Sequence, residues 1–326
     1  MAILSDYLEP KLLDHIFGKT EFTRPTDLYI GISSSAFTES DNGITAAAKE
    51  PAYDSTTPSY FGDGYSRVQI DNNAQYNVSS ESIKNTSGID FPEAGGSGWG
   101  SIQYWAIFDS NTSTANMLMH GSFTSAVTVS AGSQFRIGTG DLEIIFPTIV
   151  NTADGLSTAS DNRYWRAQLA YLLGLANPLG SMNNANNYFQ FRDASTDQAY
   201  LYVGVSATAF GDTLGATENS GTGYARVFAS HGSWGNASTD GSGVTTISNS
   251  SAISFPEAGS DWGDMAYWAI FRGGNSVSSN YDASSYASGD AAGSQPLLKG
   301  ALTTSKTVNS GDVLRFGIGD FVVTAS

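Results

Sequence analysis

The same short strings occur twice, in the same order, along this chain. LYIG at Leu28 to Gly31 returns as LYVG at Leu201 to Gly204, and GYSR at Gly64 to Arg67 as GYAR at Gly223 to Arg226. FPEAG at Phe91 to Gly95 returns unchanged at Phe255 to Gly259. WG follows at Trp99 and Trp262, then YWAIF at Tyr104 to Phe108 and again at Tyr267 to Phe271. A closing block, GSFTSAVTVSAGSQFRIGTGDLEI from Gly121, pairs with GALTTSKTVNSGDVLRFGIGDFVV from Gly300. Repetition in register over so many blocks means that the chain folds as two copies of one unit. Even the leading segments correspond: LLDHIFG ending at Gly18 resembles QLAYLLG ending at Gly174.

The offset between copies changes along the chain, and each change marks a loop. It is 156 at the leading segment, 173 at LYxG, 159 at GYxR, 164 at FPEAG, 163 at YWAIF and 179 in the closing block. The first copy therefore carries 14 extra residues between Ser33 and Phe61. The second carries 17 extra between its leading segment and its first strand, and 16 extra between Gly273 and Pro296. Loops diverge without disturbing a core, so these insertions are candidates for contacts particular to one copy.

Each copy reads as β structure led by a short amphipathic helix. Leu8, Leu12, Leu13, Ile16 and Phe17 form a helical stripe, with Ser5 placed to cap it, Pro10 near its start and Gly18 to end it. Trp165, Leu169, Leu172, Leu173 and Ala176 form the equivalent stripe, with Ser160 or Asp161 as cap. One face of each helix must dock on something, which makes Leu12, Leu13, Ile16, Phe17, Leu169, Leu172 and Leu173 candidate docking residues. The strands expected in the first copy are LYIGIS, YSRVQI, IQYWAIF, MLMHGSF, AVTVS, QFRIG and LEIIF, with FPEAG as a turn. Their alternation, and turns such as SAGS and NSGD between them, predict two packed antiparallel sheets per copy. The fold class is mainly β: two tandem β-sandwich domains, each preceded by an α-helix. Residues 1–147 form the first, 162–326 the second, and 148–161, rich in turn formers, an exposed connector.

Composition removes several functions. Fifteen Lys and Arg against 31 Asp and Glu give a net charge of −16, a surface that repels nucleic-acid phosphates and anionic lipid. The absence of cysteine excludes disulfides, thiolate metal sites and cysteine nucleophiles. The N-terminus is broken by Asp6, Glu9, Lys11 and Asp14, so it lacks the apolar centre of a signal peptide, and no stretch is apolar enough to insert in a membrane.

No chemistry stands out. His15, His120 and His231 lie in unrelated contexts without ligand spacing. The Asp-rich stretches at Asp109 to Thr114 and Asp193 to Gln198 match no defined calcium loop and suit turn capping. There is no Gly-x-Ser-x-Gly elbow. The acids that recur, Glu93 with Glu257 and Asp141 with Asp320, sit where turns are expected. Arg67 with Arg226 and Arg136 with Arg315 recur among few basic residues, which suggests fixed salt bridges or bonds to turn carbonyls. YWAIF alternates, with Tyr104, Ala106 and Phe108 on one face and Trp105 and Ile107 on the other, and its rings are expected to fill a core. Trp99, Trp262, Tyr281 and Tyr286 are the candidates for exposed aromatic contacts. Neither a catalytic residue nor a metal or cofactor is expected.

SDYLEPKLLDHIFGKTEFTRPTDLYIGIS, then GYSR, FPEAG before WG, an aromatic strand of the YWAIF type and a closing LTTSKTVNSGDVLRFGIGDFVVT together resemble tailed-bacteriophage virion proteins of the tail fibre or minor tail type. The resemblance covers nearly the whole chain, twice over, where members usually look like a single unit. It implies a non-enzymatic, surface-exposed virion protein assembled in the host cytoplasm. Its partners would be other tail or capsid proteins, a host surface glycan or receptor, and further copies of itself as a homo-oligomer. A tail fibre or spike component fits first. A capsid-decorating cement protein is the alternative, and a secreted carbohydrate-binding or carbohydrate-active protein a second.

Overall fold

The computed structural model of the chain describes residues 3–20, 22–23, 25–54, 56, 61–70, 76–78, 82–145, 156–157, 192–193, 198–199, 201–210, 218–272 and 296–325. The expected second helix, with Leu169, Leu172 and Leu173, and the loop with Tyr281 and Tyr286 lie outside the described residues.

The fold is mainly β, built from antiparallel sheets, and the two copies share one topology. In the first, a five-stranded sheet runs in the spatial order Ile3–Leu4, Met117–Val129, Gly100–Phe108, Tyr29–Ser33, Val68–Gln69. In the second the order is Leu156–Ser157, Pro296–Val308, Gly263–Arg272, Leu201–Ser206, Val227–Phe228. Smaller sheets pack against one face. Glu143–Ile145, Ser82–Asn85 and Tyr76–Val78 correspond to Val322–Ala325, Thr245–Ser248 and Ser238–Thr239. The pair Ile89–Glu93 with Gln134–Ile137 corresponds to Ile253–Glu257 with Val313–Phe316. The shared strings thus encode a shared register, with Trp105 opposite Gly121 and Trp268 opposite Gly300.

The aromatic strand sits at the centre because both its faces are apolar. Trp105 and Ile107 point into the main core with Phe91, Phe135, Ile83 and Ile144, while Ala106 and Phe108 meet Phe37, Ala46 and Met117 on the opposite face. The second copy repeats both, with Trp268 and Ile270 on one side and Ala269 and Phe271 on the other. Gly121 belongs to this arrangement, since a Cβ there would lie 2.4 Å from the Trp105 ring.

Three strand expectations need correction. MLMHGSF and AVTVS are one strand, Met117–Val129, whose register jumps from Tyr104–Ser122 to Ile102–Val127, leaving residues 123–126 outside the ladder. A bulge of that size bends a strand without ending it, so the two apolar patterns read as separate. YSRVQI keeps only Val68–Gln69 as strand, because Tyr65 and Arg67 are committed to side-chain bonds described below. FPEAG is not wholly a turn: Phe91, Pro92 and Glu93 finish a strand, with a register shift between Asp90 and Glu93 that accommodates a residue without an N–H. The connector also does more than link. Its Leu156 and Ser157 pair with Leu302 and Ala301 at the edge of the second large sheet.

The leading helix, Leu8–Ile16, joins the copies. Ser5 Oγ accepts a 3.3 Å bond from the Leu8 N–H, and Gly18, at φ +69°, ends the helix in the left-handed conformation. Leu8 and Leu12 pack in the first copy's core, but Leu13, Ile16 and Phe17 belong to the core of the second. Successive helical residues point about 100° apart, so a stripe that includes both Leu12 and Leu13 is wide enough to serve two surfaces. Phe17 lies 4.5 Å, ring to ring, from Trp234. Polar bonds fix the junction: the Ala237 N–H donates to Asp14 at 2.7 Å, and Lys19 Nζ donates to the carbonyls of Trp234 at 2.7 Å and His231 at 3.0 Å.

Replacing Phe17 by Ala should therefore destabilise the second copy although the residue lies in the first. The expected loss is about 3 to 5 kcal/mol in chemical denaturation. Hydrogen exchange should show reduced protection in Thr245–Ser248 and Val322–Ala325; loss confined to residues before 147 would contradict the shared helix.

Candidate functional site

The recurring strings converge on one buried network in each copy. Arg67 Nε bonds both oxygens of Glu50 at 3.0 Å and its Nη2 reaches Oε2 at 2.5 Å, with both side chains wholly excluded from solvent. The Tyr65 hydroxyl donates to Glu50 at 2.6 Å and accepts the Ile32 N–H at 3.0 Å. The guanidinium lies 3.4 Å from the Phe108 ring centroid, and its Nη1 donates to the carbonyls of Ser110 and Thr112. Burial pushes the Glu50 carboxyl up against the opposing pull of Arg67, and it raises the Tyr65 hydroxyl well above its usual range. The second copy repeats the arrangement: Arg226 pairs with Glu218, Tyr224 donates to Glu218 at 2.9 Å, and Phe271 lies 3.5 Å from the guanidinium.

This network and the turn beside it explain five of the repeated strings. The Gly of LYxG is required because a Cβ on Gly31 would stand 2.1 Å from Glu50 Oε1, and one on Gly204 2.5 Å from Glu218 Oε1. GYxR supplies Tyr and Arg, and YWAIF the ring beneath the guanidinium. The Gly of GYxR meets FPEAG: Gly64, at φ +76°, passes so close to Glu93 that a Cβ would lie 2.3 Å from its carbonyl oxygen. The Gly95 N–H then bonds the Asp63 carbonyl at 2.7 Å, and Trp99 Nε1 bonds the same oxygen at 3.2 Å. Thr222 receives Gly259 and Trp262 in the same way. Trp99 and Trp262, expected as exposed contacts, are each only 6% exposed and set edge-on to Tyr65 and Tyr224. The indole N–H needed a buried acceptor, and the turn carbonyl supplies it.

Sequence reasoning missed Glu50 and Glu218. They come from loops of unequal length, so no fixed offset relates them. It also missed Asn85 and Asn249, which match at the FPEAG offset. Each is buried and bridges the closing block, Asn85 bonding Gly138 and Leu142, Asn249 bonding Gly317 and Phe321. Glu93 and Glu257 end exposed strand segments, and Asp320 accepts the Gly317 N–H within its turn. Arg136 reaches Asp90 at 3.5 Å on the surface, a pairing the second copy lacks because Ser254 stands there. Asp109 caps its own loop, accepting bonds from Asn116. His15 Nδ1 accepts the Phe22 N–H at 3.0 Å, beyond the helix end. Among the described residues no three histidines or acids are grouped to hold a metal.

A second cluster lies where the copies meet. Glu9, fully buried on the leading helix, stands near Asp6 and Glu39 and faces the second copy's Thr245. The turn at Gly243 closes over these acids, since a Cβ there would meet Asp6 Oδ1 at 3.4 Å. Among the described residues neither Glu9 oxygen has a hydrogen-bond partner within bonding distance, although the nearby Thr245 hydroxyl favours the charged form. Burial dominates, and with the repulsion of Glu39 and Asp6 it raises the Glu9 pKa from 4.5 to about 7. Burial also raises Asp6 and Glu39.

A family model described as Podophage GP4 fiber I protein gp80 matches residues 3–145 and again residues 181–324. The two matched segments follow the two copies. A search of curated proteins gives no match.

Removing one member of the sealed pair should cost more than removing its semi-exposed counterpart. Arg67→Met leaves the Glu50 carboxyl buried without its cation, with only the Tyr65 hydroxyl bonded to it, and should lose about 3 to 5 kcal/mol in denaturant melts, with Arg226→Met losing less, because Glu218 retains 18% exposure. Glu9 makes stability depend on pH. Its folded pKa of about 7 exceeds the unfolded 4.5, so the folded state holds the proton more tightly; stability should fall as pH rises from about 4.5 to 7 and level off above. Glu9→Gln should flatten that slope and gain up to about 3 kcal/mol at pH 8, read from melts at a series of pH values.

Proposed function

We propose, from the premise that this chain belongs to the Podophage GP4 fiber I protein gp80 family, that it is a non-enzymatic component of a tail fibre, exposed on the virion and in contact with neighbouring virion proteins or the host surface. The observation that carries this reading is the family match, which runs through each copy of the repeat in turn. The arrangement of the copies supports it. Two of their polar pairs, Arg67 with Glu50 and Arg226 with Glu218, are bonded to one another, Arg67 also to backbone carbonyls, and so hold strands together. Buried charges spent in this way make a rigid scaffold, and rigidity suits a part that transmits position along a particle.

In a fibre, the scaffold would place the two copies at a fixed angle through the shared helix, and the loops that differ between copies would make the contacts. The acidic surface keeps such a particle part from adhering to nucleic acid released in the host. Gold-labelled antibody against the purified chain should decorate the tail fibres of intact particles in negative-stain electron microscopy. Labelling spread over the capsid faces would overturn the assignment in favour of a decorating protein.

A further inference from the structure

Asn42 is the only asparagine in the chain that a glycine follows. It is exposed, on the loop that carries Glu50, just ahead of the short helix Ile44–Ala47. Asn85, Asn116, Asn249 and Asn309 commit their side-chain amides to carbonyls or carboxylates. Among the described residues the Asn42 side-chain amide and the Gly43 N–H have no such partner. The electrophile and the nucleophile of an intramolecular reaction therefore stand on adjacent residues, both unoccupied.

Two features of the backbone favour that reaction. Gly43 has φ +49° and no side chain, so nothing on it shields its nitrogen or crowds a ring that closes through it. The carbonyl oxygen of Asn42 accepts bonds from the Thr45 N–H at 3.1 Å and from the Thr45 hydroxyl at 2.9 Å. That oxygen and the Gly43 nitrogen belong to one conjugated peptide group, so when the nitrogen gives up its proton the charge is shared with the oxygen. Donors already aimed at the oxygen stabilise the anion as it forms. The Thr45 hydroxyl is itself held in place, since it accepts the Asn42 N–H at 2.9 Å.

We propose that Asn42 is a self-modification site, at which the Gly43 nitrogen converts the asparagine to aspartate or to its β-linked isomer, with Thr45 as the positioning residue. The deprotonated nitrogen attacks Asn42 Cγ. The bond from Cγ to the side-chain nitrogen breaks, and ammonia leaves carrying the proton that the Gly43 nitrogen gave up. Water then opens the cyclic imide at either of its carbonyls. The product places a new negative charge beside Asp41, which is paired with Lys49 and accepts the Thr38 N–H at 2.7 Å. In the β-linked product the main chain is also one carbon longer between Asp41 and Thr45. Both sides of that stretch are anchored, Asp41 by Lys49 and Thr38, and the helix by the buried Ala46 and Ala47. The added length must break the bonds between Asn42 and Thr45, and it loosens the loop that delivers Glu50 to Arg67. The second copy has no asparagine-glycine pair, so only the first copy ages in this way.

The test is incubation of the full chain in mildly alkaline buffer, followed over days by peptide mass mapping that separates the two isomers. Deamidation should appear at Asn42 at least about tenfold faster than at Asn116 or Asn309, with ammonia released in step. Asn42→Gln should remove it, because the longer side chain closes a ring less readily. Thr45→Val should slow it several-fold while Thr45→Ser keeps the rate. In urea the Thr45 variants should all react alike, since the hydroxyl no longer reaches the carbonyl. After ageing, hydrogen exchange should show reduced protection in Ile44–Ala47 and none lost in Leu201–Ser206. No excess at Asn42 over the other asparagines, a Thr45→Val rate equal to or above the parent's in a variant that melts normally, or the same Thr45 effect in urea would overturn the proposal.

Discussion

The pairing of Arg67 with Glu50 ties three elements together at one buried point. Glu50 arrives on the long loop after the first large-sheet strand, Arg67 and Tyr65 on the segment that returns to it, and Phe108 at the end of the aromatic strand. An unpaired charge at that depth would be prohibitive, so the loop cannot leave without taking the strand edge with it. Tyr65 extends the constraint by bonding the Ile32 backbone, and Arg67 extends it by bonding the carbonyls that follow the aromatic strand. Such a network gains little over an apolar core in raw stability. What it provides is a single admissible geometry, and its recurrence around Arg226 places the same geometry in the second copy.

The leading helix extends that order from each copy to the pair. With Leu8 and Leu12 in one core and Leu13, Ile16 and Phe17 in the other, neither core is complete without it. Glu9 is a discordant element, a carboxyl buried against the second copy beside Asp6 and Glu39. It tempers a junction otherwise fixed by apolar packing and makes it more secure in acid than in alkali.

Legibility in the sequence followed locality. The alternation of YWAIF placed Trp105 and Phe108 on opposite faces correctly, because strand period is a property of the backbone alone. The helix, its Gly18 stop and the recurring turns were readable for the same reason. Glu50 was not readable, since a partner 17 residues from Arg67 in a loop of variable length leaves no periodic trace. The burial of Trp99 was equally hidden, because a Trp beside Gly in a turn is sheltered only once Asp63 is folded beneath it. The recurring Gly, Tyr and Arg were visible as identities, but their reason lay in contacts that no local pattern expresses.

By itself the sequence determined that there are two copies of a mainly β unit and which stretches may vary in length, since these follow from repetition and backbone period. The tertiary structure alone decided that one helix serves two cores and that Arg67 and Arg226 are each paired with an acid from a loop of variable length. Those outcomes depend on which surfaces meet across tens to hundreds of residues, and burial, which sets the cost of every charge and the worth of every ring, exists only once they have met.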